Sequence, residues 1–235
     1  MKDNLKLSPR LEEAASYVRQ GARLADIGTD HAYLPLRLLL DERISFAVAC
    51  DIVDGPLERA RRHIELYPDV KDKIQTYKTN GLMNVEGFSP TDITVCGMGG
   101  ELIAQIIADA SFTKDPKISL VLQPMTCAEE LRLFLAQNGY KTVRESIVTE
   151  GRRVYEIINA VYDGQVRSFS QAEYLLGAYN IEHRNNDLAL LAKKHISSLN
   201  KKISGLKKAG KYGNEYDGLL CQLVALCGES ENENC

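Results

Sequence analysis

Asp26, Gly28, Thr29, Asp30 and His31 form the tightest cluster of chemically capable residues in the chain. An apolar lead-in (Ala22, Leu24, Ala25) runs into them, and Tyr33, Leu34, Pro35, Leu36 and the leucines at 38 to 40 follow at helical density. Strand, glycine turn, helix is the place where an open α/β sheet binds a nucleotide-like ligand. A dinucleotide site wants G-x-G-x-x-G, so that a pyrophosphate can approach the backbone at a helix N-terminus. Here only Gly28 is present, and Asp30 holds the second glycine position. Carboxylates repel phosphate. They suit a ligand that donates hydroxyls and bears positive charge, and S-adenosylmethionine has a ribose, an ammonium and a sulfonium.

A second acid falls where that ligand needs it. Ile44 to Cys50 is an apolar run of strand length ending at Asp51, which Ile52 follows. A carboxylate at that strand tip can accept both ribose hydroxyls. The competing role is structural: Asp51 or Asp54 capping a helix from Pro56 to Leu66. At the tip of a third strand, Asn80 with Gly81 and Leu82 is placed to meet the adenine.

These residues need a scaffold, and strand–helix alternation supplies one up to about residue 163. A helix over Leu11 to Val18 precedes the first strand. Ile74 to Thr79 reads as the third strand. Ile93 to Cys96 reads as a short fourth one, ending in a Gly97-Met98-Gly99-Gly100 turn before a helix from Glu101 to Ala110. Ile118 to Leu122 is a fifth, closed by Gln123-Pro124. Thr126 with Glu129 spells a capping box for a helix that ends at Asn138-Gly139. Lys141 to Thr149 and Val154 to Tyr162 form a late hairpin around Gly151, Arg152 and Arg153. The expected architecture is a doubly wound, mostly parallel, Rossmann-like α/β sheet with an antiparallel edge over residues 1–163, followed by a helical domain over residues 164–235.

Composition excludes several classes. At 235 residues, 44% hydrophobic and 26% charged, the chain is ordinary globular material with room for a sizeable core. Its net charge of −3 means that any nucleic-acid surface must be local. The N-terminus is polar, and no apolar run suffices to span a membrane. The six cysteines (Cys50, Cys96, Cys127, Cys221, Cys227, Cys235) contain no C-x-x-C pair. Neither a metal site nor a disulfide framework is expected, and a cytoplasmic setting fits.

From Ser170 onward only helical spacing remains. Ala189, Ala192, Ile196, Leu199, Ile203 and Leu206 recur at alternating intervals of three and four, a coiled-coil-like seam. Between His183 and Lys211 stand eight basic residues against the single acid Asp187. Lys194, Lys201 and Lys208 repeat every seven and fall farthest from the seam. The bland reading is a solvated face. The alternative is an electrostatic footprint for a polyanion, and no aromatic interleaves the lysines to stack bases.

Three strings together carry a resemblance: Asp26-Ile-Gly-Thr-Asp-His-Ala-Tyr-Leu-Pro35, Cys96-Gly-Met-Gly-Gly100 with Glu101-Leu-Ile103, and Leu122-Gln-Pro-Met125. The chain resembles the bacterial tRNA (adenine-N1)-methyltransferases that modify position 22, the TrmK family, through most of residues 5 to 160. The resemblance implies a class I fold dependent on S-adenosyl-L-methionine, a helical C-terminal domain, and methyl transfer to N1 of an adenosine in tRNA. Asp26, Gly28, Thr29, Asp30, His31, Asp51, Ile52, Asn80, Gly81, Leu82, Gly97 and Met98 then become candidates for holding the cofactor. Gly97, Met98, Gly99, Gly100, Asp30, His31 and Tyr33 become candidates for positioning the base. Lys194, Lys201, Lys208, Arg152 and Arg153 become candidates for tRNA, with a monomer favoured.

The chemistry agrees with what the chain lacks. Neutral adenine N1 has an available lone pair, so no Ser/His/Asp or Cys/His set is required. Base-methylating enzymes often carry Asn/Asp-Pro-Pro-aromatic after the fourth strand; Gly97 to Gly100 offers neither amide nor ring, and backbone carbonyls must serve instead. The rival classes are a methyltransferase for a small molecule or another RNA, a nicotinamide-dependent dehydrogenase and a non-catalytic RNA-binding protein. The basic helix argues against the small molecule, the missing glycines against the dehydrogenase, and the intact Asp26, Gly28, Asp51 and Gly97 against the last.

Overall fold

The structure is a computed structural model describing residues 5–210 and 213–227, with the backbone alone described at position 214. Seven strands form one sheet in the order β3-β2-β1-β4-β5-β7-β6. They are β1 (Ala22–Ile27), β2 (Ile44–Asp51), β3 (Ile74–Lys78), β4 (Asp92–Gly99), β5 (Ser119–Thr126), β6 (Tyr140–Glu150) and β7 (Arg153–Tyr162). The first five run parallel, and β7 pairs antiparallel with both β5 and β6. Strand order reverses between β1 and β4, so the crevice at their carboxyl ends is the topological switch point.

Alternation along each strand sends side chains to both faces, and both are covered. Leu24, Ala47, Ala49, Val121 and Ile157 join one core with α1 (Pro9–Tyr17), α2 (Tyr33–Leu40) and α3 (Asp54–Ile64). Ala25, Ile27, Val48, Ile93, Val95, Leu120 and Leu122 join the other with α4 (Gly100–Ala108) and α5 (Ala128–Gln137). A buried ion triad ties α5 to the edge hairpin: Arg132 Nε donates to Glu145 Oε1 at 2.8 Å and Nη2 to Glu156 Oε2 at 2.6 Å. Burial of charge is tolerable there because each guanidinium edge meets a carboxylate.

Three local expectations are corrected. The capping box fails: Thr126 belongs to β5, and α5 is entered through Cys127 at φ 53 with no side-chain cap. Neither Asp51 nor Asp54 caps α3, whose N-cap is Val53, because the helix begins two residues before Pro56. The Gly97–Gly100 turn is largely strand. β4 continues to Gly99, with register shifts on either side of Met98, and α4 starts at Gly100.

The chain divides into two compact units at Arg167 and Ser168, not at 163. The extra residues belong to the first unit because Asp163 and Gly164 donate backbone hydrogen bonds to Gly139 O and Arg167 to Ala136 O. In the second unit, α6 (Gln171–Leu176) opens with a true capping box, Ser170 and Glu173 bonding reciprocally. α7 (Ala178–Glu182), α8 (Leu188–Lys208) and α9 (Asp217–Leu226) follow, and α8 packs on α9 and α6. Cys50, Cys96 and Cys127 are free thiols, while Cys221 is disulfide-bonded, a pairing the cysteine spacing does not announce. Cys235 and Lys211 lie outside the described residues.

Candidate functional site

The carboxyl ends of β1, β2 and β4 bring the candidate residues together. Gly28 turns the chain at φ 77, and the backbone amides of Gly28 and Thr29 both donate to Cys50 O at 2.9 Å, locking the turn to β2. A side chain on Gly28 would meet the Met98 methyl, 2.1 Å from where its Cβ would stand. Two of the expected motifs therefore touch: the first glycine turn and the fourth-strand glycine string.

The three acids have different surroundings. Asp26, next to last in β1, is only 7% exposed and accepts a hydrogen bond from the Thr94 hydroxyl at 2.7 Å. Burial pushes its carboxyl up, and the Thr94 bond opposes that rise. Asp30 is exposed and held by Arg59, whose Nε and Nη2 donate to Oδ1 at 3.1 and 2.7 Å. Asp51, half-buried at the β2 tip, spends one oxygen on the Val53 amide at 2.8 Å. That turn aims the carboxylate, and Thr79 N bonds Asp51 O to bring the β3 tip alongside. Asn80 is exposed, Gly81 half-buried and Leu82 buried just beyond it.

Large apolar side chains ring this end of the sheet. Ile52, Met83, Leu102 and Met125 are exposed: Ile52 directly follows β2, Met83 lies in the loop after β3, Leu102 sits in the first turn of α4 and Met125 is next to last in β5. Exposed apolar side chains at the mouth of a sheet suit the faces of purine rings. His31 and Tyr33 stand with ring centroids 5.2 Å apart. His63 belongs with them: its Nδ1 lies 2.7 Å from His31 O, and its ring packs edge-on at 4.8 Å from Tyr33.

The glycines of the fourth-strand string have separate duties. Gly97 is at φ 83, while Gly99 is at φ −67, so only the former needs left-handed freedom. At Gly100 a Cβ would stand 2.1 Å from Cys127 O, so its missing side chain lets α4 pass the β5–α5 connection. Two residues outside the expected set reach the same place. Gln123 is fully buried on β5, and Arg10 on α1 donates to it at 2.7 Å. An arginine near the N-terminus gives no sequence signal of such a role.

On the second unit, the seam is observed as a stripe: Ala192 and Ile203 are buried and Ala189, Ile196, Leu199 and Leu206 half-buried, while Lys194, Lys201 and Lys208 are exposed. A hollow of about 690 Å³ along α8 is lined by Lys193, Ser197, Asn200, Lys201, Ser204 and Lys208. Arg152 and Arg153 are exposed at the hairpin of the first unit.

The strand order and a site at the β1/β4 switch point define a class I methyltransferase domain, and the methyltransferase domain family model matches residues 7–158. The chain is 34% identical over 215 residues to the tRNA (adenine(22)-N(1))-methyltransferase of Bacillus subtilis, covering 86% of this chain and 87% of that one. It belongs to the tRNA (adenine(22)-N(1))-methyltransferase family. The crystal structure of the B. subtilis m1A22 tRNA methyltransferase TrmK superposes with a TM-score of 0.79 at 29% identity over 96% of this chain and 97% of that one. The M. capricolum TrmK complex with S-adenosylhomocysteine superposes with a TM-score of 0.73 at 26% identity, covering 95% of each chain.

Proposed function

We propose that this chain transfers a methyl group from S-adenosyl-L-methionine to N1 of adenosine 22 of tRNA. The observation that supports this best is the convergence of Asp51, the Gly28 turn and the Gly97–Gly100 string at the switch point of a chain from this family. The residues fit the cofactor: Asp51 keeps acceptor capacity at the β2 tip, Gly28 presents no side chain, and Ile52 and Met83 offer apolar surface for a purine.

The cofactor supplies a methyl group made electrophilic by its sulfonium. Adenine N1 attacks with its lone pair, forming a C–N bond as the C–S pair returns to sulfur. Positive charge passes to the base and no proton has to leave. The chain's task is therefore orientation and electrostatic tolerance of a cation, not proton transfer. Asp51 accepts the ribose hydroxyls, Gly28 and Met98 shape the wall, and the Gly97–Gly100 string faces the acceptor.

The tRNA backbone is held by Lys194, Lys201 and Lys208, with Arg152 and Arg153 as a second contact. The packing of α8 on α9 and α6 within one chain supports a monomer, and a tRNA substrate supports a cytoplasmic setting. Nucleoside mass spectrometry of tRNA from a gene-deletion strain tests the function: N1-methyladenosine at position 22 disappears and returns with the gene. Persistence of the mark in the deletion strain would rule the proposal out.

A further inference from the structure

Resting on that function, we propose that Arg10 and Gln123 are positioning residues for the target base. They fix the Cys96–Gly97 peptide so that the Cys96 carbonyl accepts a hydrogen bond from the exocyclic amine of adenine 22.

The β4–β5 ladder pairs Cys96 with Gln123 and Met98 with Pro124, leaving Gly97 as a bulged residue. Its φ of 83 turns the peptide out of the ladder, and its amide finds a side chain instead: Gly97 N donates to Gln123 Oε1 at 3.1 Å. Arg10 Nη1 donates to the same oxygen at 2.7 Å, so two donors meet the two lone pairs. Gln123 Nε2 donates to Pro124 O at 2.8 Å. A buried amide with both ends engaged has one orientation. Arg10 is itself anchored. Its backbone amide donates to Glu150 Oε1 at 2.8 Å, its Nε lies 3.7 Å from Glu150 Oε2, and its guanidinium stands 5.5 Å from the Tyr155 ring centroid. Four elements (α1, β4, β5 and β6) thus converge on one peptide.

The consequence lies on the other side of that peptide. The described residues contain no cis peptide bond, so the Cys96 carbonyl points opposite the Gly97 N–H. The Gly97 N–H faces the Gln123 side chain, and the carbonyl faces away from it, where β4 leaves the ladder with β1. There the last β1–β4 pair is Ile27 with Val95, so Cys96 lies one residue beyond the ladder, over the switch-point crevice. A backbone acceptor in that crevice matches the amine beside adenine N1. It does the work for which the Gly97–Gly100 string has no side-chain amide.

Steady-state kinetics with two tRNAs, carrying adenosine or unsubstituted purine at position 22, test the role. Purine keeps N1 and lacks the amine. Gln123→Leu should lower kcat on the adenosine tRNA by about 100-fold, the scale of a misplaced reacting group, with KM for S-adenosylmethionine unchanged. It should lower the purine rate far less, so that the preference for adenosine collapses. Arg10→Met should act in the same direction. Gln123→Glu keeps an oxygen for both donors and should restore most of the preference. Equal losses on both tRNAs, or undiminished turnover of the adenosine tRNA, would overturn the role. If Gln123→Leu loses cofactor binding altogether, Arg10→Met and Gln123→Glu decide by the same ratio. A wild-type enzyme inactive on the adenosine tRNA would defeat the functional reading itself, and this role with it.

Discussion

Asp51 and Asp26 show how differently two carboxylates of one site are used. Asp51 stands at a strand tip with one oxygen on Val53 N and the other side of the group open to a ligand. Asp51→Ala should weaken S-adenosylmethionine binding at least tenfold, since a hydrogen bond to a charged group contributes roughly 1.5–3 kcal/mol. Calorimetry on the folded variant measures this, and an unchanged affinity would remove the ribose role. Asp26 is buried, and its folded pKa lies above its ordinary value. Such an acid holds its proton more tightly when folded. Its stabilising contribution is complete below the ordinary carboxylate range and is lost as pH climbs through the folded value. Asp26→Asn keeps an acceptor for Thr94 and removes that loss. Denaturant melts should show the variant gaining on the wild type as pH rises from about 4, then levelling. A gain that shrinks with pH would mean that the carboxylate is held ionised.

At the scale of elements, the glycine string separates packing from conformation. Gly100→Ala places a methyl against Cys127 O and should destabilise the fold by about 1–3 kcal/mol. Gly97→Ala should cost about 1–2 kcal/mol through its left-handed backbone. Gly99→Ala faces only the Thr126 hydroxyl, 3.3 Å from the new Cβ, and should melt near the wild type. Thermal denaturation of the three ranks them; a Gly99 variant as unstable as Gly100→Ala would contradict the division. The sequence showed every strand and all the sheet-domain helices, because apolar runs and Gly/Pro punctuation are local signals. It did not show that β4 and β5 each run past their expected ends. Gly97 and Pro124 read as terminators, but a bulge keeps the ladder going around them. The Thr126–Glu129 pattern misled because Cys127 adopts φ 53, a conformation set by tertiary packing. The gathering of Asp26, Gly28, Asp51 and Asn80 at the ends of neighbouring strands was legible from their spacing. Arg10, Gln123, Arg59 and His63 were not, since their roles depend on elements far apart in sequence.

For the whole molecule, a net acidic chain carries one basic helix. No helix among the described residues is long and apolar enough to cross a membrane. The exposed Lys194, Lys201 and Lys208 lie off the apolar stripe of α8, so replacing all three with Ala should leave helicity intact. tRNA binding should weaken, and the slope of log K against log salt should flatten by about two to three units if each lysine meets a phosphate. Cofactor affinity should not change. Equal slopes for both proteins would make the stripe a solvated face and shift attention to Arg152 and Arg153. The proposed reaction is methyl transfer to one atom of one nucleotide. Purified enzyme, S-adenosylmethionine and two tRNA transcripts, one with adenosine and one with guanosine at position 22, test it in a single reaction set read by nucleoside mapping. One methyl group per tRNA, on N1 of adenosine 22, and none on the guanosine transcript is the expected result. Equal methylation of the two transcripts, or a methyl group on another atom or position, would contradict the account.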